Sequence, residues 1–263
     1  MGYAQPVILG IVQGLTEFLP VSSSGHLVLA ERMLTNFQRP GVCLEILLHM
    51  GTLISLIAYF RGDLRAILAD LFAAKGEKGA PGRRWALLIV LGSIPTALIG
   101  FLFEGWFERM FSSVSAVGIS LMITGLLLWV SDRVKGKEKG IARMTVWDSL
   151  GIGFVQGLAI TPGISRSGST IAMGIFLGLD RDTAARFSFL LSIPALCGAL
   201  LFKVNEVCRL FSFNWIGYML GACTAAVVGY ISIIVVLRMV LLKKLSPFAY
   251  YCWAVAVIAL FLV

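Results

Sequence analysis

The chain has 263 residues, 58% of them apolar and 14% charged, with a mean hydropathy of +0.90 and a formal charge of +8. That much apolar surface exceeds what one soluble core needs, and it is concentrated in runs about 17 to 24 residues long, so the chain is read as an integral membrane protein. Its charges punctuate apolar segments instead of forming a basic surface interleaved with aromatics, which argues against a nucleic-acid partner and for a role in membrane topology.

The first apolar stretch, 6–35, carries Gln13 and Glu17 and is broken near its middle by Pro20, Ser22, Ser23, Ser24 and Gly25. With no basic flank before it, it is not expected to be a cleavable signal peptide, and MGYAQP lacks the hydroxyl residue of a myristoylation site. Each half is only about 12 to 15 residues, too short to cross a bilayer at 1.5 Å per residue, so a re-entrant helix-turn-helix hairpin is predicted. Continuous apolar spans follow at 44–60, 85–103 and 114–131, with a hydrophilic loop at 61–84 and a linker at 132–146. A second broken stretch, 147–180, contains PGISRSGST from Pro162 to Thr170, and spans at 184–202, 214–237 and 247–262 complete the chain. The predicted fold class is therefore all-α integral membrane, with six transmembrane helices and two re-entrant hairpins. Irregular backbone at membrane depth needs protein or water partners, so the hairpin turns should line a cavity.

The chain also matches itself. At an offset of 143, GIVQGL (10–15) falls on GFVQGL (153–158), and Ser22, Ser24 and Gly25 fall on Ser165, Ser167 and Gly168. Ser23 then meets Arg166, and His26 meets Ser169. A second match, at an offset of 129, lays Leu91, Gly92 and Gly100 on Leu220, Gly221 and Gly229, and the 14-residue difference is assigned to the 61–84 loop. These matches give repeat one as 1–131 and repeat two as 147–263. Placing the 61–84 loop in the cytoplasm puts sixteen Lys and Arg residues on that side and five on the other, with Arg166 alone left in the membrane. Both termini then lie outside and the hairpins enter from opposite faces: an inverted repeat whose polar tips meet near the midplane.

Gln13 and Glu17, four residues apart, share a helix face aimed at the turn carrying Ser22, Ser23, Ser24 and His26. A carboxylate in an apolar helix costs several kcal/mol unless paired, hydrated or metal-bound, so Glu17 is a candidate metal ligand or acid/base group; an interfacial Glu in contact with water is the plainer alternative. At the second tip, a restarting helix offers N–H groups, Gly163 and Gly168 allow close backbone approach, and Arg166 adds a fork of donors matched to phosphate oxygens. The constellation asks for an anion, most plausibly phosphate; a structural Arg166–Glu17 bridge is the alternative. His26, beside the serines and a carboxylate, is a candidate for acid/base or nucleophilic work. His49, four residues after Glu45, is expected to form a structural polar pair with it, with a supporting role at the site as the alternative. The five cysteines form no CxxC pair and are read as free, membrane-buried thiols.

QGLTEFLPVSSSGH and PGISRSGST resemble the two signature segments of the bacterial undecaprenyl-diphosphate phosphatases, the BacA type linked to bacitracin resistance, and the resemblance covers nearly the whole chain. That family's (E/Q)xxxE motif lands on Gln13 and Glu17, its serine and histidine segment on Ser22, Ser23 and His26, and its PGxSRSxxT motif on Pro162 through Thr170. Gln at position 13 removes one anionic metal ligand and shifts weight to Glu17. The resemblance implies an inner-membrane hydrolase that removes the terminal phosphate of a C55 polyprenyl diphosphate and regenerates the carrier of peptidoglycan and related polymers. It also implies a divalent cation, Mg²⁺ or Ca²⁺, and a site facing the outer side.

On this basis Glu17, Ser23, His26 and Arg166 are the expected catalytic residues. Ser22, Ser165, Arg166, Ser167, Gly168 and Thr170 are expected to bind the diphosphate, and Glu17 with Gln13 the metal. Ser23 is the first choice of nucleophile, with His26 or Glu17 taking its proton; attack by His26 or by metal-activated water stays open. The expected partners are the polyprenyl diphosphate and membrane lipids, with a homodimer left open. A flippase for the same lipid is the rival function, since broken helices meeting at the midplane also describe secondary transporters. A non-catalytic scaffold leaves Glu17 and Arg166 unexplained. The PAP2-type lipid phosphatases share an SGH fragment, but this chain has no second catalytic His followed by Asp.

Overall fold

The computed structural model describes residues 3–33, 42–73, 81–134, 138–208 and 215–261. The end of the first broken stretch (34–35), part of the 61–84 loop, 135–137 of the linker, the first residue of the 214–237 span, the last residue of the final predicted span, and Arg39, Lys75, Lys78, Lys135, Lys137 and Arg209 of the topology count lie outside them.

Twelve α-helices order the described chain: α1 Ala4–Phe18, α2 Ser23–Met33, α3 Val42–Tyr59, α4 Arg61–Phe72, α5 Pro81–Leu102, α6 Glu104–Phe111, α7 Val114–Ser131, α8 Val146–Leu158, α9 Arg166–Phe176, α10 Arg181–Cys208, α11 Trp215–Leu241 and α12 Ser246–Phe261. An apolar helix occupies each of the six predicted spans. By length and hydropathy α5, α7, α10 and α11 suffice to cross a membrane, while α12 is a shorter apolar helix of 16 residues. The predicted 61–84 loop is corrected: its first half is helical, with α4 bent 69° from α3. Its two aspartates pair with other helices, as Arg186 Nη1 on α10 lies 3.0 Å from Asp63 Oδ1, and Asp70 Oδ2 accepts from Gly82 N at 2.7 Å.

Both hairpins break where their sequences require it. α1 stops before Pro20, which lacks an N–H for the helix ladder, and α2 restarts after Ser22 at φ +70°. α8 opens with a capping box between Thr145 and Asp148 and closes at Ala159; the turn then runs through Gly163 at φ +91° to Ser165, the N-cap of α9. The four halves span 15, 11, 13 and 11 residues, each below bilayer length.

The two internal sequence matches turn out to be the two sides of one interface, made twice. α1 packs along α11, and α8 along α5. A Cβ on Gly153 of α8 would overlap the carbonyl oxygen of Gly92 on α5, and one on Gly10 of α1 would overlap that of Gly221 on α11. Gly14 and Gly157, one turn on, repeat the approach against Ala225 and Ile99. Small residues four apart let helices close to backbone contact, which is the main source of packing attraction where lipid is as apolar as the core. Each hairpin is thus gripped by the other half of the chain, while α7 packs on α12 and α3 on α10. The largest buried cluster, including Phe18, Phe60, Phe187 and Phe189, also takes in Val21 of the first hairpin and Ile171 of the second.

Candidate active site

The turns of the two hairpins touch. A Cβ on Gly25 would meet Gly163 Cα at 3.2 Å, and one on Gly168 would meet Pro20 Cβ at 3.1 Å, so bulkier residues here would part the tips. Ser22 Oγ accepts from Gly163 N at 3.1 Å and from Gly25 N at 3.4 Å. Ser167 Oγ donates to Leu19 O at 3.5 Å, and on α7 Thr124 Oγ1 donates to Gly163 O and accepts from Ser165 N, both at 3.0 Å.

Glu17 sits at this junction with its side chain 4% exposed. Its Oε1 lies 2.6 Å from Arg166 Nη2. Its Oε2 accepts from Gln13 Nε2 at 2.9 Å and from Ser23 Oγ at 2.7 Å, and His49 Nε2 stands 3.8 Å away. A buried carboxylate holds its charge only when paired and fully hydrogen-bonded, and these neighbours meet that demand. Arg166 is partly exposed, at 20%, so its fork joins the buried carboxylate to the accessible side of the site.

The predicted residues therefore divide by exposure. Ser23 and Arg166, both in contact with Glu17, and His26 are partly exposed, whereas Gln13, Ser22, Ser165, Ser167, Gly168 and Thr170 are buried. The buried hydroxyls already have protein partners. Ser165 Oγ accepts from Gly168 N at 3.1 Å as the cap of α9, and Thr170 Oγ1 donates to Arg166 O at 2.7 Å and contacts Ser188 Oγ on α10. In this structure they hold the second tip in shape, and one N–H of the α9 terminus is engaged by Ser165.

Both histidines have a fixed tautomer. His26 Nδ1 lies 2.8 Å from Ser22 O and His49 Nδ1 lies 2.9 Å from Glu45 O; a carbonyl only accepts, so each Nδ1 carries the hydrogen and each Nε2 faces outward from its helix turn. His26 Nε2 meets Tyr251 Oη at 2.8 Å. Both of its ring nitrogens are thus engaged away from Ser23, and Glu17 is the group in contact with that hydroxyl. The expected side-chain pair of His49 with Glu45 is corrected: His49 uses only the Glu45 backbone carbonyl and turns Nε2 toward Glu17. For His49 the geometry thus favours the alternative of a supporting role at the site, whereas Tyr251 carries no signal in the sequence that would mark it as a neighbour.

A divalent cation fits this donor set. Gln13 Oε1 is buried without a hydrogen-bond partner, beside a carboxylate, and oxygen-only ligands suit Mg²⁺ or Ca²⁺. No three His, Cys, Asp or Glu side chains converge as a cage among the described residues, so much of the coordination would come from substrate oxygens and water.

The family model described as "Bacitracin resistance protein BacA" matches residues 6–258. The chain belongs to the BacA family. Among its relatives, a protein named undecaprenyl-diphosphatase from Halothermothrix orenii is 43% identical over 259 residues, covering 97% of this chain and 96% of the relative. Proteins of the same name from Desulfosudis oleivorans (44% over 269 residues, 98% and 97% covered) and Carboxydothermus hydrogenoformans (42% over 266 residues, 100% and 98% covered) match equally broadly. BacA family membership thus extends through both hairpins and the helices that grip them.

Proposed function

We propose that this BacA-family membrane protein hydrolyses undecaprenyl diphosphate to undecaprenyl phosphate and inorganic phosphate, recycling the lipid carrier of cell-wall polymers and conferring bacitracin resistance. The observation that carries the reading is the contact of Ser23 Oγ with Glu17 Oε2 at 2.7 Å, while Arg166 holds the other carboxylate oxygen at 2.6 Å. A nucleophile, a base and a phosphate-matched cation meet at one partly exposed point.

In the proposed reaction Ser23 Oγ attacks the terminal phosphorus and its proton passes to Glu17 Oε2. The bridging P–O bond breaks, undecaprenyl phosphate leaves, and water then hydrolyses the phosphoserine to release phosphate. Arg166 Nη donors neutralise charge on the transferring group, and phosphoryl transfer depends mainly on such positioning and neutralisation. Glu17 and Gln13 would hold Mg²⁺ or Ca²⁺, which when bound supplies charge neutralisation at the diphosphate oxygens.

We further place the protein in the bacterial inner membrane with this site toward the outer face, as the BacA resemblance implies; the Lys/Arg asymmetry supports the orientation of the spans. The exchanged glycine contacts support repeats at 1–131 and 147–263 joined by 132–146. Purified protein in detergent micelles, where no compartment exists, should release phosphate from undecaprenyl diphosphate; a protein that only moves the lipid between leaflets would release none.

A further inference from the structure

We propose that Tyr251 is a positioning residue of the hydrolase, its hydroxyl holding the His26 ring in one orientation at the edge of the active site; this rests on the hydrolase reading above. The two residues lie 225 positions apart, on α12 and α2. The Ser22 carbonyl fixes the hydrogen on His26 Nδ1, so in the neutral ring Nε2 is bare and the Tyr251 hydroxyl is the donor across the 2.8 Å contact. The rings lie within 7° of parallel, 5.5 Å apart, so the imidazole is restrained both in its plane and at both nitrogens.

Tyr251 is itself placed by a fixed element. The adjacent Cys252 is fully buried, with Sγ 3.7 Å from Pro20 O in the first hairpin turn. The start of α12 is held by Asp132 Oδ2, which accepts from Leu245 N at 2.8 Å and Ser246 N at 2.7 Å.

A purely structural tie explains this contact poorly. Tyr251 is 46% exposed and His26 only partly buried, while α12 is seated independently by Cys252 against Pro20 and by Asp132 at its start, so the fold does not depend on this one hydroxyl. What the hydroxyl adds is orientation: His26 Nδ1 donates to the carbonyl of Ser22, the residue before the proposed nucleophile Ser23, so a turned ring shifts the turn that aims the attacking Oγ.

The test is Tyr251→Phe, which keeps the ring and removes the hydroxyl. Phosphate release should show kcat lowered about 3- to 10-fold with KM within about 2-fold and an unchanged unfolding temperature. In a His26→Ala background the same substitution should cause no further loss, as expected when one residue acts through the other. Because the chain has only two histidines, ¹⁵N-histidine spectra give a readout independent of activity: Tyr251→Phe should move the His26 Nε2 resonance and leave His49 in place. Unchanged kcat, a further loss in the His26→Ala background, or an unmoved His26 resonance each overturns the proposal. A wild-type protein that releases no phosphate would instead overturn the hydrolase reading, leaving the nitrogen spectra to decide the contact.

Discussion

Arg166 and Glu17 come from hairpins 149 positions apart in the chain and meet at 2.6 Å, so the proposed active site exists only while both hairpins are seated. Neither residue is stable alone at that depth: the carboxylate needs a cation and hydrogen-bond donors, and the guanidinium needs an anion. The pair links fold and chemistry, because a diphosphate entering the site would engage an arginine already held in place by its carboxylate partner.

Replacing Glu17 by Gln keeps its size and removes the base in contact with Ser23. Phosphate release should fall about 10²- to 10⁴-fold, the usual worth of a positioned base, with the protein still folded. Arg166→Lys keeps the charge but loses the planar fork, and should lower kcat about 10²-fold. Near-normal turnover in either variant removes that residue from the reaction.

The glycine contacts predict where the fold is intolerant. Gly153→Ala puts a methyl group into the Gly92 carbonyl and should lower stability by about 1–3 kcal/mol, seen as a lower unfolding temperature in detergent. Gly105→Ala, on α6 with nothing within 4 Å of its Cβ, should leave that temperature unchanged or slightly raised. Equal effects at the two positions contradict the packing account.

His49 and Glu45 separate the geometry from the sequence pattern. His49→Ala should reduce kcat about 3- to 10-fold, since its Nε2 stands beside the Glu17 oxygen that contacts Ser23. Glu45→Ala should not, because only the backbone carbonyl of Glu45 is used. Steady-state rates of the two variants decide the point.

Removing divalent cations with a chelator should abolish release, and Mg²⁺ or Ca²⁺ should restore it. Gln13→Ala deletes an unpartnered buried oxygen and should raise the cation concentration needed for half-maximal rate, with less effect on kcat at saturation. A rate indifferent to chelator contradicts the metal assignment.

Much of this was legible in the chain. The broken apolar runs and their prolines located both hairpins, and the GIVQGL and GFVQGL match marked the glycines that seat them. The spacing of Gln13 and Glu17 gave the shared face, because helix geometry fixes i, i+4 neighbours locally. What the sequence hid was longer in range. Tyr251 reaches His26 through the packing of α12, and no local pattern encodes that approach. Ser165 and Thr170 looked available to a ligand because a sequence does not reveal which hydroxyls a cap or Ser188 has taken. Arg61–Phe72 read as a loop from its charges, of which Asp70 and Asp63 find partners on α5 and α10.

In the proposed reaction everything turns on Ser23 attacking the diphosphate with Glu17 as its base. Rapid acid quenching during turnover of ³²P-labelled undecaprenyl diphosphate, followed by peptide mapping of the labelled protein, tests it directly. Phosphate should be found on Ser23, absent in Ser23→Ala and much diminished in Glu17→Gln. Label on His26, or turnover that continues in Ser23→Ala, would contradict it.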